Sequence, residues 1–417
     1  MNVLKKGVSL AAGAASFAAM RLPFRRAAVV AALAALAAPA TAPAHDHRDR
    51  TLRVATFNAS LNRAAEGRLI ANLSTPADTQ AGAVAEVIQR VRPDVLLINE
   101  FDYDAQGTAA RLFQDNYLSV GRNGAAPIHY PHRYSAPSNT GIPTGFDLNN
   151  NGVVGGGDDA FGFGFFPGQF GMQVYSRHPI AERFVRTFQN FCWTDMPGAK
   201  MPTPFYSPEE QAILRLSSKS HWDLPLVVDG KVVHLLASHP TPPVFDGPED
   251  RNGTRNHDEI RFWADYVGHR RGSAYIYDDE GRYGGLHRGA RFVIAGDQNS
   301  DPLDGDSIPG AAQQLLDHPR IDANLAPRSD GAVEATALQG GANLTHRSDP
   351  QFDTADFADT APGNLRADYV LPSRRGFKVR GGFVFWPPSS DPLSRLTGMF
   401  PFPTSDHRLV ALDLEVS

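Results

Sequence analysis

Five apolar runs in this sequence begin or end on side chains that can do chemistry. Asn58 follows Leu52–Phe57, Glu100 follows Val95–Asn99, and His239 follows Val232–Ser238. Asp297, with Asn299 two residues on, follows Arg291–Gly296, and Asp406-His407 stands just before Leu409–Leu414. Each case alone has a bland explanation, because strands must end somewhere and Asp and Asn favour turns. Together they form a set of hard oxygen donors and imidazoles, suited to a cation such as Mg2+ and to a phosphate group. Hydrolysis of a phosphate ester needs an activated water, a charge clamp on the non-bridging oxygens and help for the leaving oxygen. These residue types supply all three.

The elements that must position them are short strands. Val95–Glu100 is a nearly continuous apolar run, the pattern of a strand buried on both faces. Met172–Tyr175, Val232–His239, Arg291–Asp297, Ala367–Leu371 and Leu409–Leu414 read the same way, and Leu224–Val228 adds another strand. Helices are expected over Ala81–Arg90, Pro208–Leu216, Asn256–His269 and Gly310–Leu316. The first carries Ala83, Val84, Val87 and Ile88 on one face. Mixed strands and helices without a regular repeat predict one α/β (α+β) sandwich domain over residues 45–417. Long loop insertions are expected at 103–170 and 186–223.

Thr56-Phe57-Asn58, Asn99-Glu100, Gly296-Asp297-Gln298-Asn299, Asp368-Tyr369-Val370 and Ser405-Asp406-His407 carry a resemblance. In order, they are similar to motifs of the endonuclease/exonuclease/phosphatase superfamily. That group includes pancreatic-type deoxyribonuclease, abasic-site endonucleases, inositol-polyphosphate phosphatases and bacterial sphingomyelinases. The resemblance spans Leu52 to Leu414 and implies a four-layer sandwich of two mixed β-sheets flanked by helices. It also implies roles. Glu100 would be the principal Mg2+ ligand (Mn2+ or Ca2+ being alternatives), with Asn58 beside it and Asp406 near the metal. Asp297 would orient or deprotonate the attacking water, and Asn299 would hydrogen-bond a phosphate oxygen. His407 would stabilise the charged transition state with its ring fixed by Asp368, and His239 matches a family histidine at the end of a central strand. Pro240-Thr241-Pro242-Pro243 departs from the usual strand continuation and leaves the direction of His239 open.

Other residues are weaker candidates. Lys219 and His221, just before the strand Leu224–Val228, could contact a phosphate, and so could Asn256 at the start of a predicted helix. A solvated hairpin approach and an ordinary capped helix explain them equally well. Asp147, Asn149, Asn151 and Asp158 stand at positions 1, 3, 5 and 12 of a loop with Gly152 at position 6, the spacing of an EF-hand-type Ca2+ loop. Position 12 is Asp rather than Glu, and no helix pair flanks the loop; any ion there would be structural. His234 falls on the opposite face of its strand from His239 and reads as structural. Cys192, between Phe191 and Trp193, reads as a buried apolar filler.

The whole chain has 417 residues, 42% hydrophobic, enough for a large core. Residues 1–44 hold Lys5, Lys6, Arg21, Arg25 and Arg26, no acidic residue, an apolar run Ala27–Ala38 and small-x-small sites. That pattern describes a signal peptide, and the run is too short to span a bilayer, so a secreted or periplasmic monomer without a stable membrane anchor is expected. Without those five basic residues, 35 of the 40 Lys and Arg remain against 45 acidic residues, a net of −10. Such a balance disfavours nucleic acid as the substrate. The expected activity is a secreted, divalent-metal-dependent phosphoesterase acting on phosphodiester or phosphomonoester bonds. The alternatives are an extracellular nuclease and a sphingomyelinase- or phospholipase-C-like enzyme; a catalytically silent binding protein would lack the catalytic residues that are present.

Overall fold

The computed structural model describes residues 51–268 and 271–417; the expected signal peptide at residues 1–44 lies outside the described residues. In chain order the strands are β1 (Thr51–Leu61), β2 (Val95–Phe101), β3 (His132–Tyr134), β4 (Met172–Ser176), β5 (Arg186–Thr187) and β6 (Trp222–Val228). They continue with β7 (Lys231–Ala237), β8 (Arg291–Asp297), β9 (Asp368–Pro372), β10 (Phe377–Val384) and β11 (Val410–Val416). The helices are α1 (Arg68–Leu73), α2 (Thr79–Val91), α3 (Thr108–Phe113), α4 (Pro208–Ile213), α5 (Arg251–Val267), α6 (Gln313–Leu316) and α7 (Asp330–Gln339).

The strands form two mixed sheets, in the orders β10-β11-β1-β2-β4-β3 and β5-β6-β7-β8-β9. Each sheet has a parallel pair at its centre, β1 with β2 and β7 with β8, and antiparallel neighbours on both sides of it. Alternation along the strands explains the layering. On β1 and β2, Ala55, Phe57, Leu96 and Ile98 face outward and pack with Val84, Val87 and Ile88 of α2. Leu52, Val54, Val95 and Leu97 face inward, where they meet Leu224, Leu226, Val233, Leu235, Val293 and Val370 of the second sheet. Phe292, Ile294, Tyr369 and Leu371 face outward from that sheet onto Ile260, Phe262, Trp263 and Tyr266 of α5. The result is the expected four-layer order: helices, sheet, sheet, helices.

Local chemistry sets the element ends. The Asp78 carboxylate accepts the N–H of Ala81 and starts α2, and Arg92 in the left-handed region stops it. Helix α5 begins at Arg251, a turn and a half earlier than the sequence suggested. The run Arg251-Asn252-Gly253-Thr254 carries little apolar signal, so its helical start was not visible in hydrophobic spacing. Helix α4 stops at Ile213, and α6 is a single turn. Among the described residues, no helix is long and apolar enough to cross a membrane.

Candidate active site

Strand parity brings the site together. Asn58 shares the inward face of β1 with Leu52 and Val54, and Asn99 shares that of β2 with Val95 and Leu97. Asp297 follows Val293 and Ala295 on β8, His239 continues Val233, Leu235 and Ala237 of β7, and Asp368 stands two residues before Val370 on β9. Because β9 runs antiparallel to β8, and β11 to β1, Asp368 and His407 at their starts lie beside the ends of β8 and β1. All these side chains therefore meet at one end of the space between the sheets.

Asp297 is the hub. Its carboxylate accepts the Asn58 amide at 3.0 Å and lies 3.3 Å from His239 Nε2 and 3.6 Å from His407 Nε2. Its other oxygen accepts the N–H of Asn299 at 2.8 Å, and its own N–H is held by Asn99 Oδ1. Gly296 precedes it at φ +143°, where a Cβ would overlap the Ser238 carbonyl. Burial works to raise the Asp297 pKa, but His407 and His239 beside it override burial and hold the carboxyl well below its usual range.

His407 Nδ1 donates to Asp368 at 2.8 Å, and Asp368 also accepts the Thr354 hydroxyl at 2.8 Å. Burial disfavours a charged imidazole, yet Asp368 and Asp297 outweigh it and raise the His407 pKa well above the ordinary value. His239 differs: its pKa is lowered by burial, with Lys219 adding to the effect. Its Nδ1 is buried with no protein partner, and its ring lines the cavity described below. The proline-rich turn after it does not divert it from the site.

Glu100 sits at φ +59°, a backbone conformation uncommon for a non-glycine residue, at the end of β2. Its oxygens accept Asn58 Nδ2 at 3.2 Å and Asn62 Nδ2 at 2.8 Å. Asn58 thus places one NH2 between two carboxylates, the need that a cation would otherwise meet, while its Oδ1 accepts the N–H of Ser60. The Glu100 carboxylate and the side-chain oxygens of Asn58 and Asn62 beside it are hard oxygen donors, a chemistry that fits a hard cation. Asp406 is half-buried and bonds Ser405 Oγ; among the described residues it makes no hydrogen bond to Glu100 or Asn58. Asp297, Asp368 and His407 also lie close enough to share an ion, but the His407–Asp368 hydrogen bond already occupies Nδ1.

Lys219 is buried, and although its backbone bonds Ser217 and Asn139, its ammonium group makes no hydrogen bond or ion pair among the described residues. Burial lowers its pKa, opposed by Glu259, Glu100 and Asp297. It lines, with Glu100 and His239, a cavity of about 460 Å3. The other two weak candidates are placed elsewhere and correct the sequence reading. His221 packs against Phe262 and Trp263 and donates from Nε2 to the Glu259 carbonyl at 2.9 Å. Asn256 lies inside α5, not at its start, and donates to the carbonyls of Thr241 and Gln298. Neither lines the cavity. Asn299, at φ +50°, spends Nδ2 on the Pro240 carbonyl. Asn62, Thr354 and Glu259, which brace the site, gave no signal of their own in the sequence. Asn99 was visible only as the neighbour of Glu100.

In the Asp147 loop, Asp147 accepts the N–H groups of Asn151 and Gly152, Asn149 that of Asn151, and Asn151 that of Val153. Asp159, not Asp158, turns inward to Leu148 and Gly155, while Asp158 is exposed and lines the cavity. His234 pairs with Asp223 at 2.6 Å, away from the site. Cys192 is half-buried rather than buried, its sulfur near the Asn190 carbonyl.

The chain is thus a two-sheet sandwich with an Asp–His–Asp centre across its strand ends. The chain belongs to the Endonuclease/Exonuclease/phosphatase family, whose model matches residues 55–407. An endonuclease/exonuclease/phosphatase from Beutenbergia cavernae DSM 12333 is similar in structure, at 19% identity and TM-score 0.47, covering 88% of this chain and 72% of that one. A family protein from Leptotrichia buccalis C-1013-b is 13% identical with TM-score 0.44, covering 87% and 99%. Sphingomyelinase C from Streptomyces griseocarneus is 14% identical with TM-score 0.41, covering 87% and 99%. A search of curated proteins finds none that matches.

Proposed function

We propose that the protein is an exported phosphoesterase that hydrolyses phosphodiester or phosphomonoester bonds by water attack, with the help of a divalent cation. The observation that carries this reading is the convergence of Asn58, His239 and His407 on one carboxylate of Asp297, within 3.6 Å. Glu100, with Asn58 beside it and Asp406 nearby, would hold the cation: Mg2+ first, Mn2+ or Ca2+ as alternatives. When bound, the ion would polarise a phosphate oxygen and offset developing charge.

The chain's own residues do the rest. Asp297 stays ionised and accepts a hydrogen bond from the attacking water, orienting it toward phosphorus. His407, charged and held by Asp368, donates to the oxygens that gain charge in the transition state. Neutral His239 donates from Nε2 to Asp297 and keeps that carboxylate aimed. Lys219 places a buried positive charge beside the phosphate position, where low polarity strengthens it.

The test is a panel of bis-p-nitrophenyl phosphate, p-nitrophenyl phosphate, DNA and sphingomyelin, each with Mg2+, Ca2+ or chelator. Hydrolysis of none of them, or activity untouched in both Asp297→Asn and His407→Ala, would sink the reading. An extracellular nuclease is the runner-up, disfavoured by the net charge of −10 without residues 1–44. Export to the periplasm or medium is supported by the basic, apolar and small-residue pattern of residues 1–44; a monomeric state is part of the same proposal, and size-exclusion chromatography with light scattering tests it. Calcium at Asp147, Asn149, Asn151 and Asp158 is a separate proposal. A melting temperature that does not move with millimolar Ca2+ in the full chain would remove it.

A further inference from the structure

The cavity at Glu100 is larger than a phosphate needs, and its walls differ in kind from the catalytic end. We propose that it is a recognition chamber for an apolar group, aryl or alkyl, carried by the substrate's phosphate. This rests on the phosphoesterase reading and narrows its substrate to hydrophobic phosphoesters over nucleotides.

Three observations carry it. First, the space is continuous: one cavity of about 460 Å3 reaches from Glu100, Lys219 and His239 to Leu148, Ala160, Phe163, Tyr206, Leu214 and Phe245. A volume in that range holds a small organic ligand. Leu148, Ala160, Tyr206 and Leu214 are buried, whereas Phe163 is 49% and Phe245 85% exposed. Large aromatic side chains left in water beside a built cavity mark a binding surface more than a packing accident.

Second, the walls are fixed. Leu148, Ala160 and Phe163 come from the first insertion, Tyr206 and Leu214 from the second, and Arg255 of α5 ties the two together. Its Nη2 donates to the carbonyls of Phe161 at 2.6 Å and Arg215 at 2.9 Å, and its Nε to that of Leu216 at 2.8 Å. At the same seam, a Cβ on Gly162 would overlap the Ser218 carbonyl, so the insertions touch backbone to backbone.

Third, the cations in the chamber are already engaged, except at the catalytic end. Arg255 spends Nε and Nη2 on carbonyls, and Arg251 is paired with Glu249. Among the cations that line the chamber, Lys219 alone has a side chain with no hydrogen-bond or ion-pair partner among the described residues, enough for one phosphate. A nucleic-acid backbone would ask for further free cations along its track.

The test is calorimetric binding of methylphosphonate, octylphosphonate and adenosine monophosphate to the full chain with Mg2+. It is repeated with the Phe163→Ser/Phe245→Ser double variant, which leaves the catalytic residues intact. Octylphosphonate is expected to bind at least tenfold more tightly than methylphosphonate, with the nucleotide no better than methylphosphonate. The double variant is expected to lose at least threefold of that preference. Equal affinity for the two phosphonates, a preference for the nucleotide, or an unchanged preference in the double variant overturns the chamber. Turnover of bis-p-nitrophenyl phosphate, measured in parallel, separates the two readings. Preferential binding without turnover keeps the chamber and overturns the phosphoesterase; turnover without preference overturns the chamber alone. A chain-length series of alkyl p-nitrophenyl phosphates, dissolved or held in phosphatidylcholine vesicles, distinguishes a soluble ester from a lipid. A rise in kcat/KM with chain length in either setting supports the chamber, and a flat series in both overturns it.

Discussion

Glu259 accepts the backbone N–H of Thr241 at 2.6 Å, and its other oxygen accepts that of Ser218 at 2.7 Å. One buried carboxylate on α5 thus fixes the chain next to Lys219 and the turn that follows His239. Glu259→Gln keeps a single carbonyl oxygen for two donors and leaves one of them unpaired. We expect it to cost about 2–4 kcal/mol of stability by urea titration. Turnover of the folded fraction should fall at least tenfold, because Lys219 and His239 lose their common brace.

Asp297→Asn keeps the shape of the hub and removes its charge. Loss of the water acceptor and of the anion facing His407 should lower kcat by about 10²–10⁴-fold. Far-ultraviolet circular dichroism and the melting profile should still report a folded protein. Activity within threefold of the parent would remove Asp297 from the mechanism.

Glu100→Gln tests the metal assignment. Chelator should abolish hydrolysis by the parent protein, and added Mg2+ should restore it. In the variant, the Mg2+ concentration for half-maximal activity should rise on the order of 10²-fold, since one of few carboxylates is lost. An unchanged metal requirement would place the ion elsewhere.

His221 makes a pH prediction. Burial pushes its pKa down to about 4, well under the ordinary 6.5. Between those values the unfolded chain binds a proton that the folded chain does not, so stability falls as pH falls through that window. From pH 7 to pH 5 this one residue should remove about 2 kcal/mol. His221→Gln, which keeps a donor for the Glu259 carbonyl, should show a shallower loss between pH 7 and 5 in parallel urea titrations. Identical slopes would show that another group carries the acid sensitivity.

Most of the sandwich was legible because its strands are runs of apolar residues with polar ends. Asn58, Glu100, His239, Asp297 and His407 could be read for the same reason: each breaks an apolar run at the point where burial stops. What could not be read depends on distant partners. Nothing in Thr354 or Asn62 distinguishes it from any surface residue until the fold sets it beside Asp368 or Glu100. His221 and Asn256 were misplaced because polar residues near a strand or helix start look alike whether they face substrate or hold carbonyls. The edge strand β10, with Lys378, Arg380 and two glycines, has too little apolar content to announce itself. The chamber required two insertions and a helix to meet, which no local pattern encodes.

Asn58, Asn99 and Glu100 belong to one sheet, while His239, Asp297 and Asp368 belong to or continue the other. Asn99 spans the gap: its Oδ1 accepts the Asp297 N–H at 3.1 Å, and its Nδ2 lies 3.4 Å from the Ser238 carbonyl. Neither sheet owns a complete centre. Hydrolysis is therefore a vernier on the alignment of the two halves. On the proposed reading, a slip of about an ångström between them would cost about 10²-fold in rate while each half kept its own ladder of hydrogen bonds.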